Sequence, residues 1–372
     1  MGQSGHASAK RVAQIIGTFG GGGAQRLAFN LAVGLAQLDV RSTAVALRYE
    51  GEYGEASNTG VNLVALNARK KNPVSVFNAW LRLRTLIFRE KPDVVHVHGA
   101  PSLPFVATSL CLMQHKPRLF FTWQDSESVL TGLGWRRRIM IWALRRCDSV
   151  SGSSHDVAKK LAERAGLRNV GVFHGGVPVS KAQSIPRTDT PLILWLGRIV
   201  PSKDPQILVR AAARLKSEGF EFQICIVGKP TASTEWYMEE TASLITKFNI
   251  ESCVKLTGFM TDDELHELMK RAEISVQTSH TEGMSIALME HMMAGLAIVA
   301  TDVGDTNLAV QDHVSGLLIP PRDEEALVGA LKSVLTSVAL RERLGREART
   351  TALRRFSIEA MVNRALQQYE AH

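Results

Sequence analysis

Glu282 and Glu290 are separated by seven residues in the stretch SHTEGMSIALMEHMMAGLAIVATDVG (279–304), the first beside a glycine and the second inside an apolar run. The run reads as a helix from about Ser285, so the N–H groups of Gly283, Met284, Ser285 and Ile286 are the unpaired donors of a helix start. Glu290 then lies roughly 7 to 8 Å along the axis. A carboxylate, a set of N–H donors and a second carboxylate in line match a ligand with a polyol at each end and an anion between. A nucleotide-sugar has that form: sugar hydroxyls at Glu282, diphosphate at the N–H groups, ribose hydroxyls at Glu290. A loop acid followed by a partly buried helix acid gives the same letters without a ligand.

Further candidates sit where short apolar runs end. In LGRIVPSKD (196–204), Arg198 and Lys203 are five residues apart ahead of a helix that starts near Asp204. They can grip a diphosphate, the arginine as a fork and the lysine as a point charge; exposed loop cations would look the same. In GTFGGGGAQR (17–26), the run through Gly21, Gly22 and Gly23 lets backbone approach a ligand, and the helix start behind it favours an anion. It carries neither the acid of a dinucleotide fingerprint nor GxxxxGK[ST], and a flexible turn explains it equally. His98 closes DVVHVH (93–98) and is as readily structural as functional.

These residues must be positioned by something, and the pattern names it. Apolar runs at 11–17, 42–48, 61–66, 93–98, 118–123, 148–153 and 169–174 alternate with helical stretches such as 24–38 and 74–90. After GGVPVSKAQSIPRTDTP, which reads as a linker, the alternation restarts at 192–197, 222–228, 253–258, 273–278, 296–301 and 315–320. We expect two doubly wound α/β domains facing across a cleft, with ligands outside the carboxyl ends of the strands.

The length of 372 residues accommodates two cores. Cys111, Cys147, Cys225 and Cys253 stand singly, which argues against a disulfide framework or a zinc site and for reduced thiols in the cytoplasm. The first ten residues are small and polar, and no apolar run reaches the roughly 18 to 20 residues of a membrane span. Residues 1–180 hold 23 Lys and Arg against 11 Asp and Glu, and residues 181–372 hold 21 against 25. A net +12 beside a net −4 points to an anionic partner or to a solvated basic surface. The segments 132–146 and 80–89 mix arginines with tryptophan and aliphatic residues. That suits an anionic membrane surface, and it also suits a helix packed on its own sheet. Nucleic acid is not expected, because RNP, helix-turn-helix and zinc spacings are missing. A glycoside hydrolase needs two acids flanking one bond, whereas these two are set out along an extended ligand.

GRIVPSKD, IVGKP and VKLTGFMTDDELHELMKRAEISVQTSHTEGMSIALMEHMMAGLAIVATDVGDTNLAVQDHVSGLLIPPRD together resemble the donor domain of retaining glycosyltransferases of family 4, which have the GT-B fold. Glu282 and Glu290 match the family's E-x7-E signature, and GGGAQR, PDVVHVHG and the closing RRFSIEAMVNRALQQYEAH keep the family's order. The resemblance implies that Arg198 and Lys203 bind the diphosphate and stabilise it as it leaves. Glu282 with the Gly283–Ile286 backbone would hold the sugar, Glu290 the ribose, and Gly258, Phe259 and Met260 the base. Gly21 to Gly23 would close on the donor. It implies a UDP- or GDP-sugar as substrate, no cofactor, no metal (no DxD motif is present), and a saccharide or lipid-linked saccharide acceptor in cell-surface glycoconjugate synthesis. A small soluble acceptor and a non-catalytic nucleotide-sugar-binding protein are the alternatives. The implied domains are a flexible tail at 1–10, an acceptor domain at 11–178, a linker at 179–190, a donor domain at 191–353, and a helix at 354–372 crossing back. The implied location is cytoplasmic, on the inner face of the membrane if attached. Two departures stand out. FFTWQD places Gln124 where relatives carry a histidine that touches the sugar, and Gln25 stands where an acid is frequent. His98 remains as a further contact to acceptor or sugar.

Overall fold

The computed structural model describes residues 10–18, 23–48, 59–69, 71–125, 129–131, 134–180 and 190–371. Backbone packing divides the chain into two units, Met1–Gly176 with Ile358–His372, and Val177–Ser357.

In unit one the elements follow in the order β1 (Arg11–Ile16), α1 (Gly23–Ala36), β2 (Arg41–Ala46), β3 (Asn62–Ala65), α2 (Pro73–Glu90), β4 (Val94–His98), α3 (Leu103–Ser109), β5 (Arg118–Trp123), α4 (Trp135–Leu144), β6 (Ser149–Gly152), α5 (His155–Ala165) and β7 (Gly171–Val172). Unit two holds β8 (Leu192–Leu196), α6 (Pro205–Ser217), β9 (Gln223–Val227), α7 (Glu235–Lys247), β10 (Val254–Gly258), α8 (Asp262–Arg271), β11 (Ile274–Gln277), α9 (Ile286–Ala294), β12 (Ala297–Thr301), α10 (Thr306–Ala309), β13 (Leu317–Ile319), α11 (Glu324–Thr336) and α12 (Val338–Phe356). The final helix, α13 (Ile358–Ala371), belongs to unit one. All thirteen expected strand segments form: β5 has its expected bounds, β2 starts one residue earlier than expected, and the others are shortened by a residue or more.

Both sheets are parallel throughout, in the orders β3-β2-β1-β4-β5-β6-β7 and β10-β9-β8-β11-β12-β13. In each, chain order reverses once, between β1 and β4 and between β8 and β11. Parallel strands covered by helices on both faces are apolar along their whole length. Accordingly Val94, Val95 and Val97 of β4 and every residue of β12 are buried. Seven of the helices begin at side-chain caps that stop the preceding loop: Asn72, Ser154, Asp204, Ser285, Asp323 and Ser337, and Thr261 with a full capping box to Glu264.

Two expected boundaries move. Val177 is buried in the unit-two core and its N–H donates to the Phe356 carbonyl at 2.8 Å, so unit one ends at Gly176 rather than at 178. The returning helix starts at Ile358 rather than at 354, because α12 continues to Phe356, whose side chain fills the same core. Within unit one, α13 lies close on α1: a Cβ on Gly34 would stand 2.4 Å from Ile358 Cγ2 and 2.6 Å from Val362 Cγ2. Residues 181–189 of the expected linker lie outside the described residues.

Candidate active site

A doubly wound sheet opens a crevice where its strand order reverses, because the loops on either side of that point leave in opposite directions. In unit two this point lies between β8 and β11, and the two loops leaving those strands are 197–204 and 278–285. Lys203 is on the first and Glu282 on the second, and their side chains form an ion pair. The pair is partly enclosed, with 19 % and 12 % of the two side chains exposed. Ser279 Oγ donates a further hydrogen bond to Glu282 Oε1 at 3.1 Å.

The two loops are joined by a network that holds this pair in register. Thr278 Oγ1 donates to the carbonyls of Lys203 (2.9 Å) and Asp204 (2.8 Å), and itself accepts from Trp195 Nε1 (3.0 Å). His280 N–H donates to the Ser202 carbonyl at 2.8 Å. Asp204 caps α6 through Ile207 N–H (3.2 Å) and accepts from Tyr237 Oη at 3.1 Å. Its other oxygen contacts His280 Nε2 at 2.9 Å, and Arg322 Nε donates to His280 Nδ1 at 3.4 Å. Thr278, Ser279, His280 and Asp204 were not singled out by sequence reasoning. The adjacency of SKD and TSH to the named residues was the available signal.

Arg198 is exposed at the mouth of β8, and Glu290 is half-buried, the fifth residue of α9. Ser285, expected as an anion-facing donor, is the helix cap: its hydroxyl accepts from Leu288 N–H. Gly283 is buried and its carbonyl accepts from Asp305 N–H at 3.1 Å, while Met284 and Ile286 pack their side chains against the core. Backbone N–H groups at this helix start are therefore what the segment can offer a ligand. Gly258 ends β10. Phe259 beyond it is about half exposed, with Lys229 Nζ 4.4 Å above the ring, and Met260 packs inward. Lys229 is an addition that the sequence marked only through IVGKP.

In unit one, Gly21 and Gly22 lie outside the described residues, and Gly23 is the exposed first residue of α1. His98 is buried rather than presented at a surface. Gln14, His96, His98 and Thr122 form a polar stripe across β1, β4 and β5, closed by Tyr369 of α13. His98 Nε2 meets Gln14 Oε1 at 2.7 Å; Gln14 Nε2 donates to Tyr369 Oη at 3.3 Å. Tyr369 Oη meets His96 Nδ1 at 2.8 Å, and His96 Nε2 meets Thr122 Oγ1 at 2.8 Å. The network assigns both rings as neutral Nε2–H tautomers. His98 Nδ1 and Gln124 Nε2 are buried without a partner among the described residues.

Burial pushes His98 down to about 3 and His291 of α9 to about 4, and lowers His96 through burial first and its neighbour His98 second. The unfolded chain protonates these rings near pH 6.5. Below that pH the unfolded state binds more protons than the folded one, so stability falls as the pH falls. At pH 5 this amounts to about 2 kcal/mol for each of His98 and His291. Urea midpoints measured at pH 7 and pH 5 should drop accordingly, and the drop should shrink in His291→Gln.

Comparison with known proteins bears on the family and the fold. Residues 177–351 match the family model for glycosyl transferases group 1, and residues 21–181 match that for glycosyltransferase family 4. The two stretches together cover most of the chain, and the protein belongs to this group of glycosyltransferases with the GT-B fold. It is 33 % identical over 167 residues to a D-inositol 3-phosphate glycosyltransferase of Acidothermus cellulolyticus, covering 44 % of this chain and 37 % of that one. It is 28 % identical over 172 residues to an alpha-D-kanosaminyltransferase of Streptomyces kanamyceticus, covering 46 % and 43 %. The chain thus spans less than half the length of these two curated relatives. Its fold resembles the crystal structure of Anabaena HepE in complex with UDP and glucose, with a TM-score of 0.82 at 16 % identity over 98 % of this chain and 100 % of that one. Among the described residues, no helix is long and apolar enough to cross a membrane.

Proposed function

We propose that the protein transfers a sugar from a UDP- or GDP-sugar to a saccharide or lipid-linked saccharide, with retention at the anomeric carbon. The observation that carries this reading is the Lys203–Glu282 pair at the switch point of unit two, beside the first N–H groups of α9. A helix start and a fixed cation are suited to a diphosphate. Lys203 and Arg198 then stabilise the charge that develops as the bond from the anomeric carbon to the diphosphate breaks. Glu282 orients the sugar hydroxyls and Glu290 those of the ribose. Gly258, Phe259 and Met260 flank the base, with Lys229 beside them. The departing diphosphate takes the acceptor proton on the same face, so the reaction needs no separate base and no metal. The HepE complex supports UDP as the nucleotide. The relative named for D-inositol 3-phosphate favours a small soluble acceptor as the second reading.

Calorimetric titration with UDP-, GDP-, ADP- and CMP-sugars tests the donor site. One donor should bind, and Arg198→Ala and Glu290→Ala should each weaken it by about tenfold or more. Failure of every donor to bind a folded protein overturns the site. Binding without transfer to any acceptor of either class would identify a binding protein. The anomeric configuration of the product, read by proton NMR, tests retention.

A further inference from the structure

Glu282 carries a charge of the wrong sign for the ligand assigned to its crevice. Its carboxylate is paired with Lys203, the cation that meets the diphosphate, so it weakens the attraction on which donor binding depends. Orienting sugar hydroxyls does not require that charge, because the amide oxygen of a glutamine also accepts a hydrogen bond. The carboxylate is fixed as well as charged. Lys203 Nζ and Ser279 Oγ both donate to Oε1, and Ser279 is buried, its carbonyl accepting from Thr301 Oγ1 at 2.7 Å. The main chain beside it is clamped by the Asp305 N–H, which donates to the Gly283 carbonyl at 3.1 Å. Oε2 takes no hydrogen bond from the described residues, which leaves one oxygen of a held carboxylate to a ligand.

Under the donor reading, on which this inference rests, the reaction changes what that oxygen meets. In the intact donor the diphosphate is esterified at both ends, and a sugar hydroxyl that donates to Oε2 offsets the repulsion between carboxylate and phosphates. Transfer breaks the bond between the anomeric carbon and the diphosphate oxygen and forms the bond from that carbon to the acceptor oxygen. The electron pair of the broken bond stays on the diphosphate, which also takes the acceptor's proton. A terminal phosphate sheds such a proton to water above about pH 6. The product then carries one more negative charge than the donor, and the hydroxyl that offset the repulsion has left with the sugar. We infer that Glu282 discriminates between donor and spent nucleotide: its fixed charge tolerates the intact nucleotide-sugar and loosens the nucleoside diphosphate once the sugar is gone. The carboxylate cannot relieve the repulsion by rotating away, because Lys203 and Ser279 pin it. Like charges about 6 Å apart at an effective dielectric of about 20 shift an equilibrium about a hundredfold, and solvent at a partly open crevice reduces this to about tenfold.

Calorimetry on the full chain with UDP and GDP, and with their glucose conjugates, tests this at about pH 8, where the product has lost its last proton. The amide of Glu282→Gln keeps an oxygen for Lys203 and Ser279, so the variant should melt close to the wild type. It should bind the nucleoside diphosphate about tenfold more tightly than the wild type does. Its affinity for the intact donor should change by less than about threefold, since the weaker sugar contact offsets the lost repulsion. Glu282→Asp keeps the charge and should show no such gain. Wild type that binds nucleoside diphosphate, with no gain in Glu282→Gln or with the same gain in Glu282→Asp, overturns this inference and leaves the donor reading standing. An equal gain for donor and product in Glu282→Gln also overturns it. Folded wild type that binds neither nucleoside diphosphates nor donors overturns the donor reading itself.

Discussion

Lys203→Ala is expected to lower kcat/KM for sugar transfer by about 10² to 10³, the loss typical of removing one preorganised group that meets charge developing in a transition state. The lysine is well placed for this, because its main chain is held by Thr278 and its ammonium by Glu282, so little reorganisation accompanies the reaction. The same pairing creates a confound. Removing the cation leaves a partly enclosed carboxylate without its counter-charge, which costs stability in its own right. Lys203→Ala/Glu282→Gln separates the two effects. The double variant should recover much of the melting temperature lost in Lys203→Ala, because no charge is left unpaired. It should recover none of the rate, because both the cation and the sugar-orienting acid are gone. Recovery of both would mean that Lys203 serves only to neutralise Glu282, and that the leaving group is stabilised elsewhere.

The elements that proved legible from sequence are those whose signal is local. Strands buried on both faces appear as unbroken apolar runs, and helix starts appear as Asp, Ser or Thr ahead of a periodic stretch. RAEISVQTS and LAIVATD could therefore be placed within a residue or two. Lys203 and Glu282 were legible for the same reason, since each follows a strand. Their contact, made across 79 residues, was not. The division between α12 and α13 was expected four residues early, because TALRRFSIEAMVNRA keeps a helical period straight through Ser357, with neither glycine nor proline to mark the stop. The break depends on Phe356 entering one core while Met361 and Val362 are buried in the other unit. His98 looked like a strand-end candidate because the letters do not disclose that Gln14 and Tyr369 enclose its stripe.

Gly304→Ala should be strongly damaging to unit two. Gly304 follows β12 at φ +57°, and a Cβ there would stand 2.2 Å from the Glu282 carbonyl oxygen and 2.7 Å from that of Gly283. Both obstacles are backbone, so no side chain can rotate away. The next residue, Asp305, donates its N–H to the Gly283 carbonyl at 3.1 Å, which fixes the two loops against each other. Left-handed strain costs an alanine about 1 kcal/mol, and forcing the loops apart adds about 1 to 3 kcal/mol. The displaced segment is the one that carries Glu282 and the first N–H groups of α9. Donor affinity should therefore fall by about a hundredfold along with the melting temperature. Gly329→Ala is the matched control. Gly329 is exposed in α11 with no atom within 4 Å of its added Cβ, and the substitution should raise stability by about 0.5 to 1 kcal/mol and leave donor binding alone. If both variants melted above the wild type and bound donor equally well, the β12 exit would yield freely, and the position of Glu282 would be set by the Lys203 loop alone. A loss confined to Gly304→Ala would show that three strand-end loops, those after β8, β11 and β12, hold the carboxylate together.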